Sequence, residues 1–406
     1  MKRLAEFLGI NAQTGALLLA ILFVGIGEEL WLPFVPKYIK ASGGTIFTVA
    51  LYAAGINLLE GFYFFLGGSL AERFGVRRSM ALFALVPLAG YAIFLSGGGP
   101  WVAVAGTLAI AAWEPLVVPA TFDVVGSALK ESKRTMAFAV QSIQKRLPKI
   151  VGPAVGGVVL FTVGVVNGTR ACLWVSLVFV GFSLVTQLLL LKDVPRKGPP
   201  ASLGAALRAM DPFLKRLLVA EVLVRWCDWL IREFIVLYVI EELCFSSKDY
   251  GFLRSFMMIV SLITYLPIGW LADRTSPPAF VRLTFFFFAA FPLALSFAHT
   301  MPMLVAAFAL WGLREIGEPA RKAIITSRFA PEVRARAVGA YWGIRAFLIW
   351  PAPILGAWIW KEHGPEALMR VAAGLGAAAF FVFLFAEKWI GGNTGVEGGV
   401  RESTKP

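Results

Sequence analysis

The sequence has few charged residues and very few cysteines and histidines. Charged side chains make up 16% of the chain, against roughly 25% in a typical soluble domain. Three cysteines and two histidines are too few for a disulfide framework or a thiolate metal site. No Gly-x-x-x-x-Gly-Lys-Ser/Thr run that would hold nucleotide phosphates occurs. These absences argue against a soluble enzyme and against an ATP-driven protein, and we expect neither a metal nor a cofactor.

Apolar residues, in contrast, are abundant and come in long blocks. They make up 58% of the 406 residues, and the mean hydropathy is +0.74. A helix of about 20 apolar residues crosses the hydrocarbon core of a bilayer, and each block is about that long. The sequence therefore predicts an all-α membrane protein with twelve transmembrane helices. These spans 1 to 12 lie near residues 15–39, 46–70, 79–97, 101–125, 136–163, 170–191, 216–240, 250–271, 279–298, 301–326, 336–360 and 369–388.

The basic residues predict the orientation of the chain. The net charge is +13, and most Lys and Arg stand in the short connections on one side of the spans. Under the positive-inside rule, this bias predicts a multi-pass protein of the cell membrane with both termini cytoplasmic, and not a nucleic-acid-binding protein. A longer polar connection, residues 192–215, is expected to separate a first six-helix bundle (1–191) from a second bundle with its tail (216–406).

The second half of the chain repeats the first in the same order. Gly68-Ser-Leu-Ala-Glu-Arg recurs as Gly269-Trp-Leu-Ala-Asp-Arg, and the Glu-Pro pair at 114–115 recurs at 318–319. Six spans separate equivalent positions, so the two copies have the same orientation in the membrane. The repeat aligns Glu28 with Asp228, Glu114 with Glu318 and Lys145 with Arg345.

The segment from Gly68 to Arg78 resembles the signature loop between helices 2 and 3 of the major facilitator superfamily, and the resemblance covers essentially the whole chain. It implies two pseudo-symmetric six-helix bundles, a monomer, and secondary transport by alternating access instead of catalysis. It also implies a cytoplasmic gate, in which Glu72 and Arg73 meet an acid at the inner end of helix 4, where Asp123 stands. The gate residues expected from the motif and its repeat are Gly68, Glu72, Arg73, Gly75, Arg77, Asp123, Asp273 and Arg274.

Charged residues inside the spans are unevenly distributed. Spans 3, 6, 9 and 12 have none in their apolar cores, whereas each of the others has at least one. A charge at the bilayer centre costs about 2.5–3.5 kcal/mol on insertion scales, so it should face protein or water. Every third span is therefore expected to face lipid, and the others to line a shared interior. The candidates for substrate binding or proton coupling are Glu28, Glu60, Glu114, Lys145, Arg225, Asp228, Arg314, Glu318 and Arg345.

Span 7 carries the clearest charge pattern. Glu221, Arg225, Asp228 and Arg232 lie on one helical stripe with alternating sign, so each side chain can neutralise the next. Ion pairs that only lock helices together are the alternative to a binding site. That structural role is expected for Glu221 and Arg232, which are nearer the ends of the span.

Span 5 contains a glycine-proline segment, with Gly152, Pro153, Gly156 and Gly157. It resembles the motif of proton-coupled antiporters in the superfamily, and close helix packing is the alternative explanation. The motif favours proton-coupled export of a small organic compound as the first hypothesis.

The intramembrane charges keep three hypotheses open. Under proton coupling, carboxylates such as Glu28 and Asp228 bind and release a proton, because burial disfavours the charged form. The second hypothesis is uptake or exchange of an anionic metabolite bound by Lys145 and Arg345, together with Arg225 and Arg314. The third is a non-transporting receptor or a lipid-moving protein on the same scaffold. The expected partners are a small-molecule substrate, a proton and the lipid bilayer.

Overall fold

The structure, a computed structural model, describes residues 12–74, 76–113, 116, 144–190, 212–274, 277–318, 321, 325 and 334–391. Within these ranges the regular secondary structure is helical throughout. The helices of the first half are α1 (Ala12–Trp31, continued by Val35–Ala41), α2 (Ile46–Phe74), α3 (Val76–Leu95), α4 (Pro100–Ile110), α5 (Leu147–Val163) and α6 (Val165–Leu190). Those of the second half are α7 (Pro212–Ile231, continued by Ile235–Leu237), α8 (Ser247–Arg274), α9 (Pro277–Leu295), α10 (Met301–Leu313), α11 (Arg334–Ile349 and Ala352–His363) and α12 (Pro365–Gly391).

The two halves make the same helix contacts. In the first half α1 packs on α5 and α6, and α3 packs on α4 and α6. In the second half the equivalent helices pack in the same way, α7 on α11 and α12, and α9 on α10 and α12. Between the halves α5 packs on α8 and α2 packs on α11, which are equivalent pairs under the repeat. The prediction of twelve helices in two pseudo-symmetric bundles is therefore confirmed.

Two glycines show the repeat at the level of the backbone. Gly164 joins α5 to α6 and Gly364 joins α11 to α12, each as a one-residue connection. Their φ angles are +84° and +86°, a region in which a residue with a Cβ is strained. The same sharp reversal is therefore built at equivalent positions of both halves.

Several spans that the sequence predicts as continuous helices are interrupted. Span 10 was expected to run to residue 326, but α10 ends at Leu313 and residues 314–317 form turns. In the same way α4 ends at Ile110, ahead of the repeated Glu-Pro pair. A proline clashes with the carbonyl four residues before it and donates no hydrogen bond, which explains both interruptions.

Three further breaks lie in α1, α7 and α11. A turn that contains Pro33 interrupts α1, and Pro351 stands at the break in α11. The break in α7, at residues 232–234, contains no proline, and the continued helix ends in a π-helical turn at Tyr238–Glu242. The Arg232 N–H still donates to the Asp228 carbonyl at 2.9 Å, so Arg232 keeps its place on the helical stripe.

The outside of the molecule is apolar along several helices. Exposed large side chains include Val178 and Phe182 on α6 and Phe381 and Phe385 on α12. Four described segments are long and apolar enough to cross a bilayer on their own, namely Ile46–Tyr63, Val165–Thr186, Tyr341–His363 and Pro365–Phe385. Apolar residues that are exposed in such numbers fit contact with lipid, so the chain is a multi-pass membrane protein.

Candidate functional site

Asp228, on α7, is the centre of one buried ion-pair cluster. Its side chain is 1% exposed and accepts hydrogen bonds from Arg232, one turn further along α7, and from Arg314, just beyond the end of α10. Arg314 also lies over the ring of Phe288 on α9, with its guanidinium carbon 5.0 Å from the ring centroid. Two arginines thus share one carboxylate in the interior of the second half.

Glu221 is the centre of a second cluster, two turns earlier on α7. One carboxylate oxygen lies 2.7 Å from a guanidinium nitrogen of Arg321, and the other accepts a hydrogen bond of 3.1 Å from Arg345 on α11. Arg321 is also paired with Glu318. Glu221 is 1% exposed, so here too a deeply buried carboxylate is shared between two arginines.

A cavity of about 190 Å³ lies between the two halves, beside these clusters. Its wall comes from α2 of the first half and from α7 and α11 of the second. The described residues that line it are Asn57, Glu60, Arg225, Trp229, Arg232, Trp342, Arg345, Ala346 and Ile349. Three arginines, one glutamate and two tryptophans therefore surround the cavity, which gives it a basic and aromatic character.

Arg225 differs from the other two arginines of the wall. Arg232 and Arg345 are paired with carboxylates, whereas within the described part of the chain Arg225 makes no ion pair. Its Nε is buried without a hydrogen-bond partner, and its guanidinium lies 5.7 Å from the centroid of the Phe288 ring. Arg225 is thus a cation in the cavity wall that no described carboxylate contacts directly, although Asp228 and Glu318 lie close enough to act on it electrostatically.

Contacts between the halves close one end of the cavity. We call this the closed end, defined by the short connections at 42–45, 96–99, 164, 243–246, 296–300 and 364, which the sequence predicts to face outside. Here Lys37 Nζ lies 2.7 Å from Glu241 Oε1, across the two halves. The Ser247 hydroxyl on α8 donates to the Gly157 carbonyl on α5 at 3.2 Å, so α5 and α8 touch through their backbones.

The glycine-proline segment of α5 lies in these close contacts. A Cβ on Gly156 would overlap the Leu30 carbonyl on α1, and at the equivalent place a Cβ on Gly356 would overlap the Leu230 carbonyl on α7. Gly157 and Pro153 face α8, where Gly251 leaves room for the Pro153 carbonyl. Gly152 packs in the same way against Glu29 on α1. The geometry therefore shows close helix packing, which is the alternative to an antiporter motif.

The structure brings five of the nine predicted site residues to the cavity or to its ion pairs. Glu60, Arg225 and Arg345 line the wall, and Asp228 and Arg314 form the pair behind it. Glu318 is one step further away, as a partner of Arg321.

The remaining site candidates and the gate motif lie elsewhere. Glu28 and Lys145 have interaction partners of their own and do not contribute to the described wall. Glu114, Gly75 and Asp123 lie outside the described residues. Gly68, Glu72, Arg73, Arg77, Asp273 and Arg274 stand on helices α2, α3 and α8 in the described backbone, but their surroundings lie outside the described part. The cytoplasmic gate therefore stays a prediction.

Several residues of the site are not among the predicted site residues. Arg232 was expected to be structural, but it lines the cavity, because it continues the stripe of Arg225 and Asp228 past the end of the regular helix. Asn57, Trp229 and Trp342 were not singled out, since uncharged residues in an apolar span give no signal of their own. Trp229 is the exception, because its position one turn after Arg225 places it on the charged stripe of α7.

Comparison with known proteins adds a family match and several similar folds. A model described as the Major Facilitator Superfamily matches residues 17–240 and again residues 217–389. The curated proteins contain no significant match to the chain.

Three solved structures illustrate the similarity of fold. The human organic anion transporter MFSD10 (TETRAN) is 16% identical, with a TM-score of 0.68 over 92% of this chain and 99% of that chain. The peptide transporter POT in complex with sulfate is 16% identical, with a TM-score of 0.73 over 93% and 94%. The nucleoside transporter NupG is 12% identical, with a TM-score of 0.76 over 93% and 100%. At these identities the similarity shows the fold alone.

Proposed function

Because the chain belongs to the major facilitator superfamily and is therefore a secondary transporter, we propose that it carries a small organic anion bound at Arg225 in the cavity between its halves. The observation that carries the proposal is that this wall arginine has no ion pair within the described residues. A buried charge without a direct partner is costly, and an anionic ligand would pair with the guanidinium directly. The anionic metabolite of the second sequence hypothesis is thus favoured over a cation.

The chemistry of arginine supports this choice of ligand. A guanidinium presents a planar fork of donors that matches a carboxylate or phosphate with two parallel hydrogen bonds. Arg345 is the other member of the predicted anion site that lines the cavity, whereas Lys145 does not. Two proteins of similar fold are an organic anion transporter and a transporter with bound sulfate, but at 16% identity the proposal depends on Arg225 itself.

Replacing Arg225 by Gln is expected to weaken anion binding at least about tenfold. A hydrogen bond to a charged group contributes about 1.5–3 kcal/mol, and each 1.4 kcal/mol corresponds to a factor of ten in affinity. The measurement is a thermal-shift screen of the purified protein against small carboxylates, phosphate esters, amines and neutral metabolites, since a ligand stabilises the state that binds it. Carboxylates or phosphate esters should stabilise the wild type, and their effect should be lost in Arg225→Gln.

Arg370→Gln is the matched control for this experiment. Arg370 is an exposed arginine of α12 whose ion pair within the described residues is with Glu366, one turn away, and it does not line the cavity. This variant should bind anions as the wild type does. Stabilisation by amines but by no anion, or full anion binding by Arg225→Gln, would overturn the proposal.

We further propose that Glu60 couples transport to protons. It is the carboxylate of the described wall, which otherwise carries three arginines. A proton on Glu60 raises the positive charge of the cavity and so favours the anion, and by linkage the anion favours the proton. This linkage supports symport of proton and anion, and differs from the proton antiport expected from the glycine-proline motif.

Replacing Glu60 by Gln is expected to uncouple transport from the pH gradient. In proteoliposomes, the variant should still exchange anion for anion at equal pH, because the neutral side chain resembles protonated Glu60. An imposed pH gradient should drive accumulation in the wild type and in the surface variant Glu366→Gln, but no longer in Glu60→Gln. Gradient-driven accumulation by Glu60→Gln would remove this residue from the coupling mechanism.

Proton-coupled export, the location in the cell membrane and the cytoplasmic position of both termini stay predictions. The positive-inside bias supports the orientation. Whether the substrate is exported or imported depends on the gradients of proton and substrate across the membrane. The geometry of the cavity favours neither export nor import.

A further inference from the structure

Two of the wall arginines share their carboxylate with an arginine that is buried more deeply. Arg232 and Arg345 have side chains that are 29% and 19% exposed. Their deeper counterparts, Arg314 and Arg321, are 9% and 5% exposed. If a ligand draws a wall arginine away, the carboxylate therefore keeps its buried partner, and no uncompensated negative charge is left behind.

The ion-pair clusters carry more positive than negative charge. Among the described residues, and together with Arg225, six arginines face four carboxylates: Arg146, Arg225, Arg232, Arg314, Arg321 and Arg345 against Glu221, Asp228, Glu315 and Glu318. Two positive charges remain, and Glu60 reduces the excess to one while it is ionised. With a proton on Glu60, the site therefore has two charges for a ligand to neutralise.

The spacing along α7 separates two anchoring points. Arg225 and Arg232 are seven residues apart, which corresponds to a rise of about 10 Å along a helix. Trp229 lies between them on the same wall, and the Arg232 guanidinium is 4.4 Å from the centroid of its ring. Trp342 adds a second aromatic ring from α11. The region between the two arginines is thus suited to an apolar or planar part of a ligand.

From these three observations we infer that the substrate is a small organic dianion, whose acidic groups bind Arg225 and Arg232 and whose apolar or planar middle lies against Trp229. The inference rests on the proposed function and narrows it. A ligand with a single acidic group satisfies Arg225 but leaves Arg232 with Asp228, so it gains only one of the two contacts.

The test compares dicarboxylates with their monomethyl esters on the purified full-length chain. Succinate, adipate, suberate and terephthalate provide different separations of the two acids, and each ester removes one charge at nearly constant shape. At least one diacid should bind about tenfold or more tightly than its ester, as expected for one charge-assisted contact. Replacing Arg232 by Gln should bring the diacid to the affinity of the ester, whereas Arg225→Gln should weaken both.

The possible results separate this inference from the proposed function. If every diacid and its ester bind with equal affinity, and binding is still lost in Arg225→Gln, the inference of a dianionic substrate is overturned. The proposal of anion transport then still holds. If no diacid and no ester binds, and phosphate esters do not stabilise the protein in the thermal-shift screen, both the dianion inference and the proposal of anion transport are overturned. The comparison of diacid and ester in the wild type decides the question even if Arg232→Gln does not fold.

Discussion

Replacing Asp228 by Asn is expected to destabilise the protein by about 3–5 kcal/mol, the usual cost of removing one partner of a buried ion pair. The side chain is 1% exposed and holds both Arg232 and Arg314. Asparagine has nearly the same shape, so the effect would come from charge. Among the described residues, Arg314 would keep an ion pair only with Glu315, at 3.9 Å, and Arg232 would keep no ion pair, only the weaker attraction of Glu233 and Glu315. The measurement is the thermal unfolding midpoint of the purified protein in detergent.

A second substitution separates charge from shape in this experiment. Replacing Arg314 by Gln in the Asp228→Asn background removes the cation that is left buried, so the double variant should recover much of the lost stability. Glu366→Gln is the exposed control, since its pair with Arg370 lies at the surface and should contribute about 0–1 kcal/mol. A double variant that is less stable than Asp228→Asn alone would show that the cluster does not act through its charge balance.

The sequence predicts the fold well because the signals for it are local. Each span is a continuous apolar block, and the repeat carries its own markers, such as the glycines at 164 and 364. The interruptions of α4 and α10 follow from the Glu-Pro pairs, although the predicted spans 4 and 10 continue past these pairs. The break in α7 after Ile231 has no comparable signal, because no proline or glycine stands there.

The site could be predicted only in part, because its pairing is a tertiary property. The stripe on α7 identifies which residues face inward, but it predicts that neighbours along the helix neutralise each other. In the structure Asp228 takes Arg314 as an additional partner, and Glu221 is held by Arg321 and Arg345 from other helices. Arg225 is therefore the wall arginine without an ion pair in the described part of the chain. No pattern in the sequence distinguishes it from the other arginines of the stripe.

The repeat is also an imperfect guide to function. Lys145 and Arg345 are equivalent by sequence, and yet only Arg345 lines the described cavity wall. Equivalent positions share a backbone location, whereas the side chains around them differ between the halves. The residue pairs that the repeat aligns are therefore a more reliable guide to the fold than to the residues that contact a ligand.

Replacing Gly251 by Leu is expected to stop transport while leaving anion binding intact. A Cβ at this position would overlap the Pro153 carbonyl, which is backbone and cannot rotate away. The halves would have to separate at the closed end, where Ser247 also bonds to the Gly157 carbonyl. Overpacking of this kind costs about 1–3 kcal/mol, which reduces the population of the closed arrangement by up to roughly a hundredfold.

Alternating access requires each end of the site to close in turn, so a protein that cannot close this end should bind substrate without exchanging it. Anion exchange in proteoliposomes and thermal shift in detergent measure the two properties separately. Gly181→Leu on α6 and Gly374→Leu on α12 are matched controls, because a Cβ at either position meets no atom within 4 Å. Both should exchange anions at the wild-type rate. If Gly251→Leu does so as well, the contact between α5 and α8 does not limit the transport cycle.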